Sequence, residues 1–213
     1  CQAAFPGEQG FNININEQPR FPYAPSTTRV HKSLRHPEAA INFAANKNLM
    51  DFYNTFPRTS WDILSYSSLS AEAKETLYPV LRKAIEGKNE AAAANIIINF
   101  VQTGFQYQTD QQQFGYERPL FGDETLYYPY SDCEDRSILY SILVREILGL
   151  EVALVNYPGH LATAVCFKEG PYGDYFNVNG KKFTICDPTY IGANIGRTMP
   201  DMDNSKAELM ILR

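Results

Sequence analysis

The dipeptide Asn179-Gly180 sits inside the stretch Asp174–Asp187, between two short alternating runs. Asn-Gly flanked this way is the strongest short-range hairpin signal, because both residues of the tight turn need positive φ. A two-residue turn pairs Val178 with Lys181 and Phe176 with Phe183. One face then carries Phe176, Val178, Phe183, Ile185 and Asp187; the other carries Tyr175, Asn177, Lys182, Thr184 and Cys186. The first face is apolar and ends in a carboxylate, and a buried carboxylate needs a partner.

The segment before the hairpin changes period. Ser131-x-x-Glu134 has the capping-box pattern. Behind it Leu139, Leu143 and Ile147 form one apolar stripe with Ile138 and Ile142 beside it, and Gly149 closes the helix. Strands follow over 151–157 and 160–168. On the second, Ala162, Ala164 and Cys166 share a face with His160. Such small side chains suit a helix pressed close, so the helix is expected to pack on the face presenting His160 and Asp187.

Residues 46–115 read as helical. Ser70 caps a helix over 71–86 with Leu77, Leu81 and Ile85 on one stripe and Gly87 as its stop. Pro79 inside it predicts a kink or a restart. Asn89 caps a second helix through Val101, closed by Gly104. Residues 105–130 read as a long aromatic loop, which in a compact domain is usually functional. The N-terminal part, 1–45, reads as a strand-like or irregular segment, with FNININ over 11–16 and a second short strand over 28–34, broken by Pro19, Pro22 and Pro25. It is too small to bury its own core. It either packs on the domain C-terminal to it or is the tail of an upstream domain. The chain thus divides into 1–45 and a main domain over 46–213.

Composition narrows the function. Of 213 residues, 44% are hydrophobic and 20% charged, a globular balance. Lys and Arg number 19 against 24 Asp and Glu, for a net charge of -5. With no long basic run, nucleic acid is a poor partner. No apolar stretch approaches the roughly 18 residues of a membrane span. Cysteines stand at 1, 133, 166 and 186, too few for a disulfide scaffold. Cys166 and Cys186 point to opposite faces if their strands are neighbours, so both read as packed thiols. Cys1 reads either as a lipidated start or as a fragment boundary, and the AAFPG after it favours the fragment.

Cys133 falls in the first turn of the helix, where unpaired N–H groups and the dipole favour a thiolate. Asp132, Glu134 and Asp135 oppose a second anion, so the thiolate needs a cationic partner. His160, the one histidine beyond residue 36, supplies it at the start of a strand, and Asp187 supplies the third group that orients the imidazole. His31 and His36, among basic residues, read as solvated, as does Gln111–Gln113. Asp201-x-Asp203-x-Ser205 lacks the Gly and the closing Glu of a calcium loop.

SDCEDRSILYSILVREILGLEV, GHLATAVCF and NGKKFTICDPTY together resemble the transglutaminase-like cysteine enzymes of the papain-type superfamily, over roughly 105–190. The resemblance implies an α+β fold, with helices on an antiparallel sheet and the catalytic Cys at a helix N-terminus. It also implies Cys133 as nucleophile, His160 as base, Asp187 as orienting group, and no metal or organic cofactor. It is strongest to the bacterial members, which are often peptidases or amidases. The chain departs from the family in Asp132 and Glu134 around the Cys, in Ala162 where Trp is usual, and in the missing Arg of EVALV.

The function expected is cysteine-dependent acyl transfer on a peptide or amide bond, hydrolytic rather than cross-linking. The partner is a peptide, a protein or a peptide-containing cell-wall polymer, in an extracytoplasmic setting. The Cys133 N–H is the first oxyanion donor, with Tyr127, Tyr128 and Tyr130 as candidates for the second. The rival reading is a catalytically silent binding or scaffold domain of a larger cell-surface protein.

Overall fold

A computed structural model describes residues 19–212. The expected strand over 11–16 lies outside the described residues. A hairpin of β1 (Arg29–Lys32) and β2 (Ala40–Phe43) leads into four helices: α1 (Lys47–Thr55), α2 (Trp61–Tyr66), α3 (Ala71–Ala84) and α4 (Glu90–Thr103). Ser70 and Asn89 cap α3 and α4 through their side chains, accepting from the N–H groups of Ala73 and Ala92. α3 runs through Pro79 without a restart.

The stretch 105–130 is not one long loop. It holds β3 (Gln106–Tyr107), α5 (Asp110–Gln113) and α6 (Gly122–Tyr127). β4 (Tyr130–Ser131) pairs in parallel with β3 and sets Tyr107 beside Ser131, two residues before Cys133. α7 (Cys133–Leu143) comes next and ends in a π turn, Val144–Leu148. The N-cap is Asp132, one residue later than the sequence pattern suggests. Asp135 Oδ2 accepts the Asp132 N–H at 3.2 Å, while Ser131 Oγ accepts from buried Arg136.

The remaining strands are β5 (Glu151–Tyr157), β6 (His160–Cys166), β7 (Tyr175–Val178), β8 (Lys181–Cys186) and β9 (Glu208–Leu212). They form one antiparallel sheet in the order β7-β8-β6-β5-β9, so the fold is α+β. The Asn179-Gly180 turn has φ of 51° and 81°, and Val178 pairs with Lys181 and Phe176 with Phe183 as the turn predicts. Cys133, Cys166 and Cys186 are free.

The helical layer covers the opposite sheet face from the one expected. Ile138, Leu139, Ile142 and Leu143 share a core with Val152, Leu154, Leu161, Val165 and Cys186. Ala153, Ala162, Ala164 and Phe183 belong to a second, smaller cluster on the reverse face, packed against Met202 and Ala207. Bulky helix side chains meet bulky strand side chains, and the small residues lie under the chain that returns towards β9. The first hairpin joins the main core through Ile41 and Phe43, so the described part of 1–45 packs on the main domain. No helix among the described residues is long and apolar enough to cross a membrane.

Candidate active site

Two structural devices bring the site together at the ends of β6 and β8. Tyr157 and His160 face each other across a turn of Pro158 and Gly159, with Gly159 at φ 78°. Pro presets the first turn residue and Gly alone accepts the second without strain, so the ring of His160 is fixed at the strand start. The β6–β8 register pairs Thr163 with Cys186. One step further, Asp187 lies across from Ala162, two residues from His160 and on the same face.

His160 Nε2 lies 2.8 Å from Asp187 Oδ2, and both side chains are buried. The other oxygen of Asp187, Oδ1, accepts the N–H groups of Thr189 and Tyr190 at 2.8 and 3.1 Å. Gln102, buried on α4, holds this turn from behind. Its side-chain amide donates to the carbonyls of Asp187, Tyr190 and Ala193.

Cys133 is the first residue of α7 and is pinned against the start of β6. Ser137, one turn on, donates to the Leu161 carbonyl at 2.9 Å. Cys133 and His160 line one cleft of about 370 Å³, together with Trp61, Tyr107, Asn156 and Tyr157. Of the three residues singled out in the sequence, Cys133 and His160 line the same cleft, and Asp187 is bonded to the imidazole. The thiol itself donates to Glu134 Oε2 at 3.1 Å, not to the imidazole. Burial pushes the thiol up from its ordinary value, and the Glu134 carboxyl pushes it further; the backbone N–H of Leu161 works against both.

The floor of the cleft is acidic. Asp132 Oδ2 accepts the Asp110 N–H at 3.1 Å, and Asp135 Oδ1 accepts the Leu120 N–H at 2.8 Å. Burial raises Asp110 to about 7 and Glu134 to about 9, the latter helped by the hydrogen bond that its protonated carboxyl donates to Glu117. Asp135, wholly buried beside Asp132, is raised well above the carboxylate range. Among the described residues two trios have oxygens close enough to share a metal ion: Asp110 with Glu117 and Glu134, and Asp110 with Asp132 and Asp135. Beneath them Arg136 is only 1% exposed. It donates to Ser131 Oγ and to the carbonyls of Gln102 and Phe105.

Several expectations change here. Among the described residues Tyr127, Tyr128 and Tyr130 do not line the cleft, whereas Tyr107 and Tyr157 do. Gln111, expected in a solvated loop, lies on α5 at the cleft rim. His31 is buried, stacked on Phe105, with its ring nitrogens 3.0 and 2.9 Å from the carbonyls of Gly104 and Leu126. Asp203 caps a short 3₁₀ turn. Sequence reasoning passed over Trp61, Asp110, Glu117 and Asn156. Only Trp61 carried a signal, as the single tryptophan of the chain.

Comparison with protein-family models, with curated proteins and with solved structures finds no match.

Proposed function

We propose that this protein is a cysteine-dependent acyl-transfer enzyme of transglutaminase-like, papain-type architecture, acting on a peptide or amide bond. The observation that carries the reading is the His160–Asp187 hydrogen bond at the wall of a cleft that also holds Cys133. A histidine whose Nε2–H is committed to a carboxylate keeps its Nδ1 lone pair as the base.

In the reaction proposed, the Cys133 proton passes to His160 Nδ1 and sulfur adds to the substrate carbonyl. The tetrahedral intermediate collapses, the C–N bond breaks, and the imidazolium gives its proton to the departing amine. Water, deprotonated by the same imidazole, then adds to the thioester; the acid leaves and the thiol is restored. The backbone N–H of Cys133, at a helix start, is the first donor to the oxyanion. The resting thiol bond to Glu134 has to be given up first.

The test is hydrolysis of a peptide-amide library by the whole chain, read by mass spectrometry, with Cys133→Ala as control. Products that vanish in Cys133→Ala support the reading. A folded wild-type chain with no Cys133-dependent product overturns it.

The thiol–Glu134 bond and the acidic floor favour a second reading, a silent binding or scaffold domain. It requires that Cys133→Ala leave every measurable function unchanged.

A further inference from the structure

The cleft beside Cys133 has two kinds of wall. One is aromatic, formed by Trp61, Tyr107 and Tyr157. The other is carboxylic, formed by Asp110, Glu117, Asp132 and Glu134. Among the described residues His160 is the only lining side chain able to carry positive charge, and its Nε2 is already taken by Asp187. The carboxylic wall is only partly satisfied from within: Asp110 Oδ2 accepts the Arg118 N–H, Asp132 Oδ2 the Asp110 N–H and Glu134 Oε2 the Cys133 thiol. Asp132 is 5% exposed, yet its Oδ1 is buried with no hydrogen-bond partner. A buried acceptor left unpaired costs free energy that an incoming donor recovers.

We infer that the cleft takes a peptide segment bearing a lysine or arginine side chain next to the bond presented to Cys133. Its alkyl stem lies along the aromatic wall and its charged head donates to the carboxylic wall. The inference rests on the acyl-transfer reading for the bond presented to Cys133, but the recognition it describes is a matter of binding alone. A bare ion would need the oxygens and nothing else. The rings and a volume of about 370 Å³ match an amphipathic cation, whose stem buries on apolar surface while its head stays among polar groups. Aromatic faces also attract the cation itself. Burial is the first cause of the upward shifts of Asp110 and Glu134, and the neighbouring carboxyls of Asp132 and Glu117 add to it.

The experiment is protection of Cys133 from iodoacetamide in the intact chain, read on the Cys133-containing tryptic peptide. Three blocked peptides differ at one residue: lysine, norleucine (the same stem without the charge) or glutamate. The lysine peptide is expected to half-protect at a concentration lower by about tenfold or more than the norleucine peptide, with glutamate weakest. Glu117→Gln, at an exposed position that does not endanger folding, and Asp110→Asn are each expected to shrink that ratio. Equal protection by lysine and norleucine, or none by any peptide, overturns the inference. So does protection by calcium chloride together with failure of the lysine peptide, which would make the carboxylic wall a divalent-cation site. Protection needs no turnover, so lysine-selective protection without hydrolysis would sink only the enzyme reading. Hydrolysis indifferent to lysine would sink only this one.

Discussion

His160 and Asp187 are joined by a 2.8 Å hydrogen bond on the sheet face that α7 does not cover, while Cys133 reaches the same cleft from the end of α7. Asp187→Asn keeps the shape and one acceptor oxygen but removes the charge that would stabilise the imidazolium. On the acyl-transfer reading, Cys133-dependent hydrolysis is expected to fall by orders of magnitude, up to about 10⁴-fold, with the fold retained. Rate assays beside circular dichroism check this; an unchanged rate would remove Asp187 from the machinery.

The thiol at Cys133 is raised by burial and by Glu134, which itself ionises only near 9. Above pH 9 the Glu134 charge adds to burial in holding the wild-type thiol neutral, and Glu134→Gln removes that part. Iodoacetamide labelling at pH 10 should be faster in Glu134→Gln by about tenfold, the equivalent of one pKa unit. A variant no faster than wild type would show that Glu134 does not govern the sulfur.

Stability should fall as the medium becomes alkaline. Asp123, Asp110 and Glu134 are raised to about 6, about 7 and about 9, burial being the first cause in each. In the unfolded chain such groups lose their protons near pH 4. Between that pH and each raised value the native state binds more protons, so stability drops as pH climbs. The contribution is whole below about pH 4 and gone above each raised value. Melting temperatures from pH 5 to pH 9 should therefore decline, and Glu134→Gln should flatten the upper part of that decline. His31, lowered by burial, acts in the opposite sense and withdraws stability as pH falls below its ordinary 6.5. A wild-type curve that rises from pH 6 to pH 9 would contradict the assignment.

Arg136 supports the site without touching the cleft. Arg136→Met fills similar space but strands Ser131 Oγ and the carbonyls of Gln102 and Phe105. A loss of about 3 kcal/mol or more is expected, measured by urea unfolding. A loss under about 1 kcal/mol would mean these acceptors find other donors.

Gly180 is at φ 81° with nothing within 4 Å of the place a Cβ would occupy. Gly180→Ala therefore costs backbone strain alone, about 1–2 kcal/mol by urea unfolding. A neutral result would show that the turn changes type to relieve it.

Much of this arrangement could be read from the residues, for identifiable reasons. The stripe behind Cys133 and the turn at 179–180 are strong periodic signals, and they placed Cys133, His160 and Asp187 at element ends. The side of the sheet that α7 covers was not readable. Alternation separates Leu161 and Val165 from Ala162 and Ala164 without saying which pair meets a helix. The cap slipped by one position because Ser131 and Asp132 are both competent N-caps. Within 105–130, α5 and α6 have only 4 and 6 residues, too short for a 3.6-residue period to register. β1 reversed the usual pattern, with Val30 outside and His31 inside, because two backbone carbonyls from distant segments needed the ring. The acidic cleft floor was half visible. Asp132 and Glu134 flank the thiol in sequence, but Asp110 and Glu117 arrive through folding.

Histidine and carboxylate hang from one side of the β-layer while the sulfur comes over its rim from the other, and the two halves are tied through Ser137 to the Leu161 carbonyl and through Arg136 and Gln102 to the Asp187 turn. Substitutions under α7 that spare those bonds leave the ring and its acid in place. A single residue gained or lost inside β6 would turn His160 through half a rotation and dismantle the trio at once. Indels in that strand, far more than substitutions under the helix, mark where a lineage of such chains would lose its chemistry.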